Sequence, residues 1–181
     1  MNDNPLVQAK TYPYSIPSES FIFVNGRLLN FGPKDTSPDL SYRTPVLAVG
    51  SNQSPEQLAR KFPGADWGPI PVICVRLRNF DSVYSPHITA YGAIAATLQV
   101  SPGVEVTLFI TWLDARQLVR MHRTELSSAN YRFSKLNSID LEVELGPSLE
   151  AVYMYTSTHG TLCDPHGPIP VSEIVARGRS R

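Results

Sequence analysis

A strand, a tight turn and a helix in direct succession are the feature of this sequence that most constrains its fold. Residues 46–49, Val-Leu-Ala-Val, form a short apolar run typical of a buried β-strand. Residues 50–52, Gly-Ser-Asn, tolerate the backbone angles of a sharp turn. Ser54, Pro55 and Gln57 then suit the N-cap, the first helical position and the capping-box position of a helix. The pattern predicts a helix N-terminus beside a turn that ends a buried strand.

This turn has two open interpretations. Backbone N–H groups of the turn and of the helix N-terminus would face one point, and such groups bind carboxylates or phosphates. The same residues also suit an ordinary capped strand-to-helix connection, because short motifs are weak signals. The segment by itself does not decide between the two.

The composition predicts one globular domain and excludes several classes of partner. The chain has 181 residues, of which 42% are hydrophobic, enough for one sizeable core. Its 16 basic and 16 acidic residues give a formal net charge of +0, so neither nucleic acid nor a membrane is an expected partner. No apolar run reaches membrane-spanning length, no signal peptide is recognisable, and Cys74 and Cys163 indicate no disulfide framework. A cytoplasmic location is therefore expected.

Two regions are predicted along the chain. Residues 1–41 form an N-terminal arm with a hairpin, and residues 42–181 form the domain. In the first region, two apolar runs flank Asn25-Gly26, the strongest short hairpin signal. Residues 1–20, before the hairpin, carry polar and proline residues without a period and contain no acid–base cluster. We therefore expect no catalytic role for them.

The rest of the chain is predicted to form strands around a second helix. This helix begins at Asp114, which with Gln117 suits a capping box, and ends near Leu126. Residues 79–87 are predicted as loop and residues 101–103, Ser-Pro-Gly, as a turn. The predicted strands are residues 72–78, 91–100, 104–112, 129–136, 140–144 and 151–155.

Glu125 occupies an unfavourable position on the second helix. At about 100° per residue it falls inside the apolar arc, near Leu118 and Met121. It also lies in the last turn, where a negative charge opposes the helix dipole. A carboxylate that faces the core needs a partner or a function. The alternative is a fraying helix end that leaves Glu125 in solvent.

No motif for metal binding or nucleophilic catalysis is recognisable. His159, Cys163 and His166 lie close together, but no CxxC or HExxH pattern supplies further ligands. Neither a metal nor an organic cofactor is therefore expected. His87 and His122 are interpreted as surface or packing residues.

Two features, taken in order, resemble the γ-glutamylcyclotransferase-like proteins. A Gly-Ser-Asn turn ends the first strand of the domain, and a Glu ends a helix that follows the segment Ala93–Val106. The resemblance covers about residues 44–174 and omits the arm and the hairpin. It implies an α+β fold, a small mixed β-barrel with flanking helices.

The resemblance also implies roles for individual residues. In that family a Tyr-Gly-Ser-Asn turn binds the glutamyl end of the substrate, and a Glu acts as general acid and base. Val49 stands where the family has the tyrosine, so any contact of that hydroxyl is missing here. By resemblance the catalytic residue is Glu125, and the substrate-binding residues are Val49, Gly50, Ser51, Asn52 and Tyr131.

The implied activity is cyclisation of a γ-glutamyl amide to pyroglutamate (5-oxoproline), with release of an amine or amino acid. Such an enzyme is a lyase or acyltransferase that takes a small-molecule γ-glutamyl substrate and no cofactor. The substrate's own amino group is the nucleophile, and a carboxylate whose pKa is raised by an apolar pocket suits removal of its proton. Two alternatives stay open: a non-catalytic small-molecule-binding protein that retains the fold, and an amide-cleaving relative with a different substrate.

Overall fold

Strands dominate the computed structural model, which describes residues 5–32, 38–90 and 92–172. Its helical segments are α1 (Pro5–Lys10), a 3-10 helix (Ser51–Gln53), α2 (Pro55–Lys61) and α3 (Ala115–Glu125). Its strands are β1 (Phe21–Val24), β2 (Arg27–Asn30), β3 (Thr44–Ala48), β4 (Ile70–Ile88), β5 (Ile94–Leu113), β6 (Tyr131–Asn137), β7 (Leu141–Val143), β8 (Ala151–Ser157), β9 (Cys163–Asp164) and β10 (Gly167–Pro168).

One mixed sheet of eight strands organises the fold. The strand order is β2-β1-β4-β5-β3-β8-β6, and β7 pairs with β4 beside this path. β3 and β8 are parallel, with Val46 opposite Tyr153, whereas the other neighbours are antiparallel. The predicted α+β class is confirmed. The predicted barrel is wrong, because within the described residues the two end strands, β2 and β6, do not pair with each other to close the sheet. β2 is an edge strand that is exposed along its whole length.

The sheet buries side chains on both of its faces. Successive side chains of a strand point to opposite faces. Val46 accordingly packs in a cluster with Leu58 of α2 and Met121 of α3, while Leu47 packs in a second cluster with Ile73 of β4. Burial on both faces explains why residues 46–49 are apolar without alternation.

β4 and β5 run through two segments that sequence analysis treats as irregular. Residues 80–84 pair with residues 96–100, so the loop predicted at 79–87 is wrong. β5 also continues through 101–103, where a turn is predicted. The strands instead shift register there: Asn79 and Gly103 have φ of 64° and 80°, and the Gly103 N–H donates to Asn79 Oδ1 at 3.0 Å.

Buried hydroxyl groups explain why β4 does not look like a strand. Ser82 and Ser85 are both buried. The Ser82 hydroxyl donates to the Val49 carbonyl at 2.9 Å, and the Ser85 hydroxyl bonds the Ser157 hydroxyl at 2.7 Å. Because these groups are hydrogen-bonded, burying them costs little.

The two main helices begin at the predicted residues. Ser54 caps α2 and accepts the Glu56 N–H at 3.2 Å, but the Gln57 side chain accepts from Arg60 instead of completing the predicted capping box. The capping box of Asp114 and Gln117 at the start of α3 is confirmed.

The hairpin is an integral part of the sheet. Asn25 and Gly26 form its turn, with φ of 50° and 74°, which confirms the predicted hairpin. β1 pairs with β4, and Phe21 and Phe23 are each 1% exposed in the core. The Ser20 hydroxyl accepts the Cys74 N–H at 2.8 Å. The domain boundary at residue 41 remains a prediction.

Three further sequence expectations concern single residues or membrane spans. Cys74 is half-buried, Cys163 is exposed, and both are free thiols. Among the described residues, no helix combines the length and the apolar character that a membrane span requires. Tyr91, the first residue of the strand predicted at 91–100, lies outside the described residues.

Core packing of the hairpin generates the first testable prediction. Phe21→Ala and Phe23→Ala should each lower the free energy of unfolding by about 3–5 kcal/mol, as for other buried phenylalanines. The control is Leu29→Ala on β2, where Leu29 is 50% exposed, and it should change stability by less than about 0.5 kcal/mol. Urea denaturation measures all three. A chain of residues 42–181 that folds with the parent's stability would show that the hairpin is dispensable.

Candidate functional site

A small cavity lies where β3 ends and the 3-10 helix begins. We call it the inner cavity, and its volume is about 50 Å³. The chain reaches it from the N-terminal arm, the end of β3, β5, the end of α3, β6 and β8. It is lined by Tyr12, Leu47, Val49, Gly50, Ser51, Asn52, Ala96, Glu125, Tyr131 and Tyr155.

The structure brings every site residue proposed from the sequence to this one cavity. Glu125 comes from α3 and Tyr131 from β6, and Val49, Gly50, Ser51 and Asn52 come from the turn. Their positions are thus established, while their roles in binding and catalysis stay predictions.

The structure leaves no room for a side chain at Gly50 while Tyr12 is in place. A Cβ atom at this position would lie 2.3 Å from the Tyr12 hydroxyl and 3.1 Å from Ala96 Cβ. The Gln53 side chain supports the turn, since its Nε2 donates to the Val49 and Gly50 carbonyls at 3.2 Å each.

Glu125 is buried in an ion pair. Its carboxylate bonds the Lys61 ammonium of α2, and the two side chains are only 14% and 9% exposed. Asn52 Nδ2 donates to the same oxygen, Glu125 Oε1, at 2.7 Å. The interpretation of Glu125 as a solvated residue on a fraying helix end is therefore wrong.

The charge state of Glu125 differs from the sequence expectation. Burial alone would raise the pKa of its carboxyl group, but the Lys61 ammonium and the hydrogen bonds from Lys61 and Asn52 together outweigh burial and hold the pKa below its ordinary value. The expected rise in proton affinity is wrong because the pocket is not simply apolar. It contains a cation that the pattern of α3 does not reveal.

Asn52 and Glu125 both bring hydrogen-bond acceptors to the lining of the inner cavity. Asn52 Oδ1 is buried and accepts no hydrogen bond from the described residues. The Nδ2 of the same amide donates to the Glu125 carboxylate. A buried acceptor without a donor is costly, so this corner of the cavity favours a ligand with an N–H group, above all an ammonium.

Two tyrosines, Tyr131 and Tyr155, also line the inner cavity. The Tyr131 hydroxyl donates to the Ala96 carbonyl at 3.2 Å, and the Tyr155 hydroxyl bonds His122 Nδ1 at 2.8 Å. Burial, and then the nearby Glu125 charge, raise the pKa of Tyr155 above its ordinary value, so it stays protonated. His122 is thus a packing residue that positions Tyr155, in line with its interpretation from the sequence.

A second, polar cavity adjoins the inner one. We call it the outer cavity, and its volume is about 290 Å³. Both cavities share Tyr12, Ser51, Glu125 and Tyr131 in their walls. The remaining polar residues of the outer cavity are Gln57, Lys61, His87, Thr89, Thr124, Ser127, Ser128 and Asn130.

Three residues at this site, Lys61, Tyr12 and Tyr155, were not predicted from the sequence. Lys61 lies three positions after buried Leu58 on α2, so its helical spacing does place it on the buried face. Tyr12 lies in an arm without any period. Tyr155 occupies a strand in which every large residue looks like core.

The proposed alternatives to this site receive little support. Within the described residues, no group of three or more His, Cys, Asp or Glu side chains could hold a metal ion. His159 Nε2 bonds Asn130 Oδ1 at 2.8 Å, whereas Cys163 is exposed on β9 and His166 is exposed in the turn between β9 and β10. A larger cavity of about 770 Å³ borders Val104–Phe109, but the ion pair of Lys61 and Glu125 lies at the smaller cavities.

Comparison with known proteins identifies the fold. Neither a protein-family model nor a curated protein sequence matches the chain. A γ-glutamyl cyclotransferase structure is 21% identical, with a TM-score of 0.51, over 65% of this chain and 68% of its own. An uncharacterised protein from Homo sapiens is 22% identical, with a TM-score of 0.50, over the same shares of 65% and 68%. A protein from Arabidopsis thaliana, solved in solution, is 15% identical over 76% of this chain and 83% of its own, with a TM-score of 0.48. The chain therefore has the γ-glutamylcyclotransferase-like α+β fold.

Proposed function

We propose that this chain is an enzyme that cyclises a γ-glutamyl amide to 5-oxoproline and releases an amine or amino acid. The observation that carries the proposal is the Glu125 carboxylate, which Lys61 and Asn52 hold at the floor of a cavity walled by the turn after β3. The fold is compatible with this activity but does not by itself imply it.

The charges of the inner cavity support a particular orientation of the substrate. The substrate's α-ammonium would donate to the Glu125 carboxylate and to Asn52 Oδ1, which accepts no hydrogen bond from the described residues. Its α-carboxylate would lie against the backbone of Gly50 and Ser51, which suits the close approach that Gly50 permits. The leaving group would extend into the outer cavity, whose hydroxyl and amide side chains suit a polar amine.

The proposed reaction needs one proton carrier. The α-ammonium gives a proton to Glu125, and the resulting amine attacks the γ-carbonyl carbon to form the ring C–N bond. The C–N bond to the leaving nitrogen then breaks as that nitrogen takes the proton from Glu125. Glu125 also removes the second proton from the ring nitrogen and passes it to the released amine, which leaves as an ammonium ion. A carboxyl group whose pKa is held low accepts the first proton reluctantly but gives it up readily in the second transfer.

One observation favours a second candidate, a non-catalytic protein that binds small γ-glutamyl or related ligands. Lys61 already neutralises Glu125 and lowers its pKa, which makes the carboxylate a weaker base than an unpaired buried one. Such a pair would still bind a zwitterionic ligand. An amide-cleaving relative would use the same groups on a different substrate.

Replacing the proposed base tests catalysis directly. Glu125→Gln should lose about 10²- to 10⁴-fold in kcat on a γ-glutamyl amide, the usual contribution of a general acid–base group. Formation of 5-oxoproline is the measurement, on protein shown to be folded by circular dichroism. Glu56→Gln is the matched control, since Glu56 is exposed on α2, and it should keep full turnover.

The outcomes separate the candidates. Full turnover by Glu125→Gln would remove Glu125 from the mechanism. If neither protein turns over any γ-glutamyl amide while both bind 5-oxoproline in calorimetry, the protein is a binding protein.

The same substitution should also reduce stability. Glu125→Gln leaves the Lys61 ammonium buried without its carboxylate, and breaking such a pair from one side costs about 3 kcal/mol. Adding Lys61→Met should recover most of this loss, because no charge is then left buried. The exposed pair of Glu56 and Arg60 provides the control, and Glu56→Gln should cost less than about 0.5 kcal/mol. Urea denaturation at neutral pH measures the parent, Glu125→Gln, Lys61→Met, the double variant and the Glu56→Gln control. Additivity of the Lys61 and Glu125 changes would contradict the pairing.

The lowered pKa predicts how stability depends on pH. Because the folded pKa of Glu125 lies below its ordinary value of 4.5, its contribution to stability is complete above that value and is lost as pH falls through the folded pKa. The parent should therefore lose stability below about pH 4.5 more steeply than Glu125→Gln. Parallel curves of unfolding free energy against pH would show that Glu125 is not held ionised by the fold.

A further inference from the structure

Tyr12 reaches from the N-terminal arm into the wall shared by both cavities. Its hydroxyl accepts the Ala96 N–H at 2.8 Å. The same hydroxyl would lie 2.3 Å from a Cβ atom on Gly50, so it stands directly over the turn. Its ring packs against Tyr84 and Ala96 and makes an edge contact with Tyr14 at 6.1 Å.

The inner cavity is too small for the proposed ligand while Tyr12 is in place. Its volume of about 50 Å³ holds only a few water molecules, since about 10–15 Å³ suffices for one. A glutamyl group is far larger than this. Tyr12 is one of four residues that line both this cavity and the outer cavity of about 290 Å³. Displacement of its side chain would enlarge the space at this shared wall.

The Tyr12 hydroxyl also occupies a hydrogen-bond donor, the Ala96 N–H, to which an anionic ligand could bind. A backbone N–H bonds more strongly to a carboxylate than to a neutral hydroxyl. The Ala96 N–H donates to the Tyr12 hydroxyl. A ligand carboxylate at this position would therefore replace the hydroxyl and gain from the exchange.

The arm is anchored on one side of Tyr12 and exposed on the other. Pro13 and Tyr14 are buried, and the Arg60 guanidinium lies 4.7 Å from the centre of the Tyr14 ring. Val7, Lys10 and Thr11 are exposed. Tyr12 itself is half-buried between these two stretches.

We propose that Tyr12 is a gating residue of the site: its side chain occupies the ligand position, and a ligand binds by displacing it. This inference rests on the proposed function for the identity of the ligand but not for the gate itself. The apparent dissociation constant is then the intrinsic one divided by the fraction of molecules in which Tyr12 is displaced. Variants that weaken the hold of Tyr12 should bind more tightly.

The gate is testable without any ligand. Ala96 lines the inner cavity but not the outer one, so Ala96→Cys places a thiol behind Tyr12. With Cys74→Ser and Cys163→Ser removing the native thiols, the probe is the rate of alkylation by iodoacetamide. Adding Tyr12→Phe should raise this rate about three- to tenfold, the equivalent of one neutral hydrogen bond, and Tyr12→Ala should raise it further.

A second tyrosine supplies the control. Tyr42 is fully exposed, and Tyr42→Ala should leave the alkylation rate unchanged. If Tyr12→Ala alkylates no faster than the Tyr42→Ala control, Tyr12 does not close the cavity and the proposal is overturned.

Kinetics on the otherwise native chain separate this inference from the proposed function. With a γ-glutamyl amide as substrate, Tyr12→Phe should lower KM about three- to tenfold and leave kcat unchanged. An unchanged or higher KM in an active Tyr12→Phe protein overturns the gate and leaves the function standing. Faster alkylation without turnover or binding of any γ-glutamyl compound supports the gate and overturns the function.

Discussion

The buried ion pair of Lys61 and Glu125 is the interaction on which the site depends. Each residue lies on the face of its helix that packs against the sheet, where an unpaired charge would be strongly unfavourable. Each helix therefore needs the other at this point. Because the Asn52 amide bonds the same carboxylate oxygen, the pair also fixes the turn after β3 against the end of α3. The geometry of the inner cavity follows from this three-way contact.

Local signals predict the elements around the turn well. The apolar run of β3, the caps of α2 and α3 and the Asn-Gly hairpin each depend on residues close together in sequence. The continuity of β4 and β5 does not, because Ser82 and Ser85 find their partners on Val49 and Ser157, far along the chain. This polar segment forms a strand because residues far away in the sequence accept hydrogen bonds from its buried hydroxyl groups or donate hydrogen bonds to them. A short stretch of sequence does not contain that information.

The site residues likewise include some that the sequence predicts and some that it does not. Glu125 stands out in the sequence because a carboxylate on an apolar helix face is anomalous, and the structure explains the anomaly with Lys61 and Asn52. The direction of its pKa shift could not be predicted, since it depends on a cation from another helix. The position of Tyr12 in the site could not be predicted either, because the N-terminal arm has no periodicity that indicates which surface it packs against. A residue that needs a partner is thus easier to recognise in a sequence than the partner itself.

The parallel pairing of β3 with β8 also has a consequence for how the protein folds. β4 and β5 are consecutive in the chain and antiparallel, so they can pair through contacts between residues close in sequence. β3 and β8 bring Val46 beside Tyr153, and the entropy of closing so long a loop delays that contact. Tyr155 enters the cavity wall only with β8. On a ribosome, where the chain emerges from its N-terminus, the pocket would stay incomplete until β8 has been made. The site therefore acquires its native form later than the pair of β4 and β5.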